Sequence, residues 1–456
     1  MGKSKRVAWL RRVLLAGLSV ALMSFALVAR GQQSSSNQQP AIPSKPSEGA
    51  TPQTSSSSGI AKASYLTPIQ GVQGVLAETL DGRVLATQAA DETFNPASSI
   101  KLATALAALQ TFGPDYRYMS TVWTSGELDQ STGTLNGDLI LSGRDPSFHY
   151  EHAVMLAREL NLLGIRTING NLIVAPTFTL NFDWSARRSG LQLYDVLDSS
   201  RRPATATKAW IDERNGAGDA ASLRVTPSVT IKGSLQVGPA PTRASLLFTH
   251  RSSRLVDILK VLLCYSNNFM AERIGDTLGG PQAVRRLLIG RLKLKPEEIR
   301  LASLSGLGVN RVTPRAMMTI FRALRLELAR NKLSPSDIMP VAGIDPGTLE
   351  DRYTSPEQRG SVIAKTGTLI STDRGASSLV GQMQTKSGTI VLFVIFNQRG
   401  GVLRFRANQD EIVTSIQSTL GGPAPFSYHP VALAMRLVDT ENEAAKVKIE
   451  YEPKDN

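Results

Sequence analysis

Ser98 and Lys101 stand three residues apart, just after Asn95-Pro96, where an apolar stretch begins that runs to about Gln110 and stops at Gly113-Pro114. On a helix two such side chains share one face, a turn apart, so the spacing predicts that the Lys101 ammonium reaches the Ser98 hydroxyl. A second polar triplet, Ser266-Asn267-Asn268, interrupts an apolar helical pattern 168 residues after Ser98. A third, Lys365-Thr366-Gly367-Thr368, follows the apolar run Val362-Ile363-Ala364. If the three motifs work together, the chain between the first two must leave one domain and return to it. That requirement constrains the fold more than any other feature of the sequence.

Each motif has a chemical reading. Serine is a poor nucleophile until a base takes its proton, and a partly desolvated lysine can be that base, which makes Ser98 and Lys101 a candidate pair. A helix start also offers free backbone N–H groups. Ser266 can relay a proton and the Asn268 amide can hold a substrate backbone. A strand carrying Lys365 and Thr366 can present a cation and a hydroxyl to a carboxylate, and Gly367 removes a side chain where another backbone must come close. Taken singly, each motif is equally served by a capping serine, an exposed turn or a solvated lysine.

The rest of the chain gives the setting. Residues 1–31 read as a signal peptide or signal anchor: Lys3, Lys5, Arg6, Arg11 and Arg12 precede the apolar run Val13–Ala29, and Ala29 and Gly31 suit cleavage before Gln32. Residues 32–62 form a linker, rich in Ser, Gln and Pro as far as Ile60, that cannot bury a core. Net charge is +13 and the pI about 9.9. On an intracellular protein that would suggest nucleic acid, but an exported chain meets anionic lipids or wall polymers instead. With Cys264 the only cysteine, no intramolecular disulfide forms. The four histidines, at 149, 152, 250 and 429, lack a ligand-type spacing, so neither metal nor cofactor is expected.

A hairpin is expected from Val75–Thr79 and Val84–Thr87 around Asp81-Gly82. Strands should return near 361–365, 377–384 and 389–396, and a last amphipathic helix near 407–420. Helix is expected from His250 through Ile274. Between 119 and 249 the pattern is strand-rich, with one helix-like stretch from His152 to Leu163. Asn136-Gly137-Asp138-Leu139-Ile140-Leu141 and Asn169-Gly170-Asn171-Leu172-Ile173-Val174 look alike there, though too briefly to establish a repeat. Residues 423–456 read as a polar, poorly ordered tail.

S-x-x-K, S-x-N and K-T-G in this chain order form the signature of penicillin-binding proteins and class A β-lactamases. The chain resembles the class C, low-molecular-mass penicillin-binding proteins, the D-Ala-D-Ala carboxypeptidases and endopeptidases. The resemblance extends through His250-Arg251-Ser252, Ala271-Glu272, Pro340-Val341-Ala342-Gly343, Gly347-Thr348-Leu349 and Gly143 with Asp145-Pro146-Ser147. It covers roughly 65–180 and 245–420. The family's Asp-Gly-Ser-Gly-Leu-Ser stretch stands here as Ser303-Leu304-Ser305-Gly306-Leu307-Gly308, and 185–245 resembles nothing in the family.

The resemblance implies a mixed α/β (α+β) fold, with an antiparallel sheet flanked by helices. A transpeptidase-like domain at 65–118 and 250–422 would be interrupted by an inserted domain at 119–249. Ser98, Lys101 and Ser266 would be catalytic, and Asn268, Lys365, Thr366, Gly367 and Thr368 would bind substrate. The N–H groups of Ser98 and Thr368 would form an oxyanion hole. Peptidoglycan stem peptides and β-lactams would be the partners, in the periplasm or extracytoplasmic envelope, with a membrane contact through the N-terminal segment and no role for nucleic acid. A non-catalytic peptidoglycan- or penicillin-binding protein on the same fold, or a β-lactamase or esterase, are the alternatives.

Overall fold

The apolar run Val391-Leu392-Phe393-Val394-Ile395-Phe396 is too continuous for a sheet with one wet face, and it lies in a sheet covered on both sides. The computed structural model describes residue 66 and residues 69–445; the signal segment and the linker expected over 1–62 lie outside the described residues. The sheet runs Val362–Leu369, Ala376–Gln384, Ile390–Gln398, Val72–Thr79, Val84–Gln88, all antiparallel. The pairing of Val72–Thr79 with Ile390–Gln398, Val75 opposite Ile395, joins strands more than 300 positions apart in the chain.

Period-two alternation sorts these side chains between two cores. Ile363, Val380, Leu392, Val394 and Phe396 pack into a helical core. Val362, Ala364, Leu379 and Ile395 pack on Ile412, Val413 and Ile416 of the helix Val402–Thr419. At the centre of the helical core lies the helix Lys101–Phe112, buried at every position from Lys101 to Leu109. A helix this uniformly apolar needs protein on all sides. The helices Leu255–Tyr265 and Pro314–Arg330 pack against it within the same core.

Three expectations change. Helix does not begin at His250: Ser245–Arg254 is a strand, its residues alternating between buried and half-buried, and helix starts at Leu255. It then breaks at Ser266, which adopts a left-handed conformation (φ 57°, ψ 40°). The tail is ordered as far as the described residues go. A short 3₁₀ turn, Leu433–Leu437, is followed by the strand Glu441–Ala444, which pairs with Phe248–Arg251 and so covers a sheet edge.

The segment between 119 and 249 holds helices as well as strands, around its own core of Leu141, Phe148, Leu156, Val174, Leu193 and Trp210. Leu139–Leu141, Leu172–Val174 and Leu235–Val237 lie side by side in parallel and in register. Parallel neighbours need long crossovers, and the helices Tyr150–Leu162, Ala186–Leu197 and Ala204–Gly216 supply them. The two look-alike stretches are therefore neighbouring rungs. The third rung, Thr230-Ile231-Lys232-Gly233-Ser234-Leu235-Gln236-Val237, lies within the stretch 185–245 that the sequence motifs left unplaced. Their glycines stack, Gly170 N donating to Gly137 O at 3.2 Å and Gly233 N to Gly170 O at 3.0 Å.

Candidate active site

Pro96 starts the site. A 3₁₀ turn, Ala97–Ile100, leads into the helix Lys101–Phe112, and in such a turn residues i and i+3 eclipse. Lys101 Nζ therefore lies 3.0 Å from Ser98 Oγ. It also lies 2.7 Å from Asn268 Oδ1 and hydrogen bonds to the Ser305 carbonyl. Lys101 is fully buried, and that desolvation, with the nearby charge of Lys365, holds its ammonium well below the usual lysine range, although Glu272 opposes the shift.

Asn268 reaches the site because the chain breaks at Ser266. Asn267 then caps the new helix Asn268–Thr277, its side chain accepting from Met270 N at 3.0 Å. This break sets Asn268 Oδ1 on Lys101 and leaves its Nδ2 without a protein partner among the described residues. The Ser305 carbonyl is fixed in turn. Glu272 Oε1 accepts from Ser305 N at 2.8 Å and Leu304 N at 3.2 Å, and Ser303 Oγ, where the family pattern has Asp, donates to Leu307 O and accepts from Gly306 N. The altered stretch thus still closes its loop on the lysine.

Two glycines let backbones converge on Ser98. A Cβ on Gly306 would lie 2.1 Å from Ala97 O, and one on Gly367 would lie 2.7 Å from Pro96 O and 2.8 Å from Ser98 N. Ser378 Oγ donates to Pro96 O at 2.7 Å from the neighbouring strand. Ala97 itself has φ +45°, a costly conformation for a side-chain-bearing residue, held in place by this crowding and by Asn95 Oδ1, which accepts its N–H at 3.0 Å.

The strand Val362–Leu369 is an edge strand. Its first part is covered: Ala364 N donates to Pro340 O, and Val341 bridges Ile363. Backbone N–H groups alternate along a strand, so those of Thr366 and Thr368 point to the same edge beyond that cover. The side chains alternate too. Lys365 and Gly367 share the face of Ile363, while Thr366 and Thr368 share that of Val362 and Ala364.

Lys365 and Thr366, expected to meet a carboxylate together, present their side chains on opposite faces of the strand. Lys365 is fully buried, and its Nζ donates to Thr366 O at 2.8 Å. Burial pushes its ammonium down to about 7. Thr366 and Thr368 are half-buried, and Thr368 Oγ1 accepts from Arg406 Nη2 at 3.0 Å. Ser305, Glu272, Gly306 and Arg406 were not foreseen as parts of the site. Ser305 acts through its backbone, which no side-chain motif reports.

A half-buried serine beside a buried lysine, set against a sheet edge on a sheet covered by helices, defines an active-site serine hydrolase of the penicillin-binding type. Residues 67–187 and 197–418 match the D-Ala-D-Ala carboxypeptidase 3 (S13) family, and the chain belongs to that family of peptidases. It is 26% identical over 450 residues to a D-alanyl-D-alanine carboxypeptidase of Actinomadura sp., covering 77% of this chain and 82% of that protein. To the D-alanyl-D-alanine carboxypeptidase DacB of Haemophilus influenzae it is 23% identical over 389 residues, covering 66% and 79%. The penicillin G acylated Bd3459 predatory endopeptidase from Bdellovibrio bacteriovorus shares the fold, with a TM-score of 0.65, 22% identity and coverage of 79% and 96%.

Proposed function

We propose that the chain hydrolyses D-Ala-D-Ala-type bonds of peptidoglycan stem peptides through an acyl-enzyme on Ser98, and that β-lactams acylate the same serine. The observation that carries this reading is the position of Lys101 Nζ between Ser98 Oγ, Asn268 Oδ1 and Ser305 O. A neutral amine there donates its two hydrogens to Asn268 and Ser305 and turns its lone pair to the serine. Lys101 takes the Ser98 proton as Oγ bonds to the carbonyl carbon of the penultimate D-Ala. The negative charge that forms on the carbonyl oxygen is met by the N–H groups of Ser98 and Thr368. On collapse the bond to the terminal residue breaks, and its amine receives that proton from Lys101 through Ser266, which leaves Lys101 neutral again. Water then attacks the ester, the base takes its proton, and Ser98 recovers its own as the product acid leaves. Asn268 Nδ2 holds the peptide, which lies along the open part of the edge strand at 365–369.

The same reading places the folded body outside the cytoplasmic membrane, in the periplasm of a two-membrane cell, with residues 1–31 as its signal peptide or signal anchor. Among the described residues no helix is long and apolar enough to cross a membrane. A reporter enzyme active only after export, fused after Ile60, tests this placement.

The catalytic reading is tested with the purified protein. A fluorescent penicillin is expected to label it covalently, with release of D-Ala from a D-Ala-D-Ala pentapeptide. Ser98→Ala is expected to lose both while keeping the circular-dichroism spectrum. Labelling without peptide turnover would favour the non-catalytic binder, and efficient β-lactam hydrolysis would favour the lactamase. Undiminished labelling of Ser98→Ala would remove the serine from its role.

A further inference from the structure

The face on which Thr366 and Thr368 lie carries a cation that the three motifs do not contain. Arg406, in the helix Val402–Thr419, is exposed and donates from Nη2 to Thr368 Oγ1 at 3.0 Å. The neighbouring Arg352 is already committed: its Nε donates to Asp410 Oδ1 at 2.9 Å, its Nη2 closes a second bond to the same oxygen, and its side chain is largely covered. Arg406 forms no ion pair among the described residues. It is thus a guanidinium next to a carboxylate that its neighbour occupies, with open donors at the mouth of the site.

Lys365 lies on the other side of the strand. Its side chain is buried and donates to the Thr366 carbonyl. Its charge acts on Lys101. A substrate that ends in a carboxylate and lies along the open edge therefore meets, at its terminus, the hydroxyls of Thr366 and Thr368 and the guanidinium of Arg406. The geometry of Thr368 favours this. Its oxygen accepts the Arg406 N–H, so its single proton is free to donate to an incoming anion. A guanidinium presents a planar fork that matches a carboxylate and stays charged throughout the pH range of the protein.

We propose that Arg406 is the residue that selects a free terminal carboxylate on the substrate, acting with Thr368. The proposal rests on the reading of the site as a D-Ala-D-Ala hydrolase, and it adds a charge contact from outside the three motifs. Two peptides of the same sequence test it, one ending in D-Ala-D-Ala with a free carboxylate and the other in the carboxamide. The wild type is expected to prefer the carboxylate. Arg406→Gln is expected to lower kcat/KM for it by about ten- to a hundredfold, mostly through KM, the range that one charge-assisted hydrogen bond commands. The carboxamide should lose at least tenfold less. Arg406→Lys should recover part of the preference, and Arg406→Glu should weaken the carboxylate peptide further than Gln does.

A preference in Arg406→Gln equal to that of the wild type overturns the assignment, as does an equal loss on both peptides. If the wild type turns over neither peptide, the hydrolase reading falls. Calorimetric binding of the two peptides to Ser98→Ala then decides the Arg406 assignment alone: tighter binding of the carboxylate, abolished by adding Arg406→Gln, supports it, and equal binding refutes it.

Discussion

Lys101 Nζ lies 2.7 Å from Asn268 Oδ1, a side chain 167 positions later in the chain. That contact ties the first motif to the second, and the whole segment from 119 to 249 is an excursion between its two ends. The consequence is chemical. Burial and the charge of Lys365 hold the ammonium well below the usual lysine range, with Glu272 opposing them.

The pH profile of acylation should show this balance. Lys101 is a base only when neutral, so the rate rises with pH as it loses its proton. Lys365 depresses the Lys101 ammonium; Lys365→Met removes that charge, so Lys101 should keep its proton to higher pH and the rising limb should move to the alkaline side. Lys101→Arg cannot lose its proton and should slow acylation by about a hundred- to ten-thousandfold at every pH, the usual range for a lost general base. Second-order rates of labelling by a fluorescent penicillin across pH give both results. An unmoved limb in Lys365→Met would detach Lys365 from Lys101, and a Lys101→Arg rate within about threefold of wild type would dismiss Lys101 as the base.

The motif residues were legible in the sequence because their chemistry sits in side chains at fixed short spacings. Ser98 and Lys101 had only to share a turn, and Asp81-Gly82 had only to fold a hairpin between Val72–Thr79 and Val84–Gln88. What depended on tertiary partners was not legible. Nothing local marks the Ser305 carbonyl as the third acceptor, or Arg406 as a neighbour of Thr368. His250 was read as helical because the apolar run after Leu255 dominates its window, whereas Ser245–Arg254 pairs with Arg117–Thr124 far upstream. The third rung was within reach. Thr230-Ile231-Lys232-Gly233-Ser234-Leu235 repeats Thr167-Ile168-Asn169-Gly170-Asn171-Leu172 at four of six positions, but two helices separate them.

That ladder predicts a contrast between two glycines. A Cβ on Gly170 would lie 2.4 Å from Gly137 O, a backbone atom held by the rung beside it. Gly170→Ala is therefore expected to destabilise the protein by about 1–3 kcal/mol, the cost of forcing atoms into a packed place. Gly290 lies inside the helix Gly280–Leu292, and a Cβ there meets nothing within 4 Å. Gly290→Ala should stabilise by about 0.5–1 kcal/mol through helix propensity. Urea unfolding of the two variants compares them; a neutral Gly170→Ala would mean that the rungs are not tightly stacked.

Three of the four histidines, scattered in sequence, gather where the inserted segment meets the C-terminal strand: the rings of His152 and His250 are 5.3 Å apart, and those of His149 and His152 are 6.4 Å apart. Phe148 packs on both His152 and His250. His152 Nδ1 accepts from His149 N at 3.0 Å, which leaves Nε2 to carry the hydrogen, facing Leu437 O at 3.4 Å. A second proton on His152 would have to sit on Nδ1, against that N–H donor. His250 Nδ1 lies 2.9 Å from Asn442 Oδ1, and its Nε2 is buried with no partner, so a proton there finds no acceptor. Burial accordingly pushes both rings down to about 3. The unfolded chain binds protons at these rings below about pH 6.5 while the folded chain refuses them. The stability they allow is therefore complete above pH 6.5 and is lost as pH falls from 6.5 towards 3. Each ring should remove about 1.4 kcal/mol per pH unit once the pH is below that upper limit. His250→Phe should remove one ring's share of the slope, measured as the difference between urea-unfolding series of variant and wild type from pH 7.5 to 4.5. Because Leu437 and Asn442 belong to the C-terminal segment, amide exchange at 441–444 should quicken in the same window before the central sheet opens. Parallel stability curves for wild type and His250→Phe would show that His250 takes up its proton without unfolding, and the account of a proton-excluding cluster would fail.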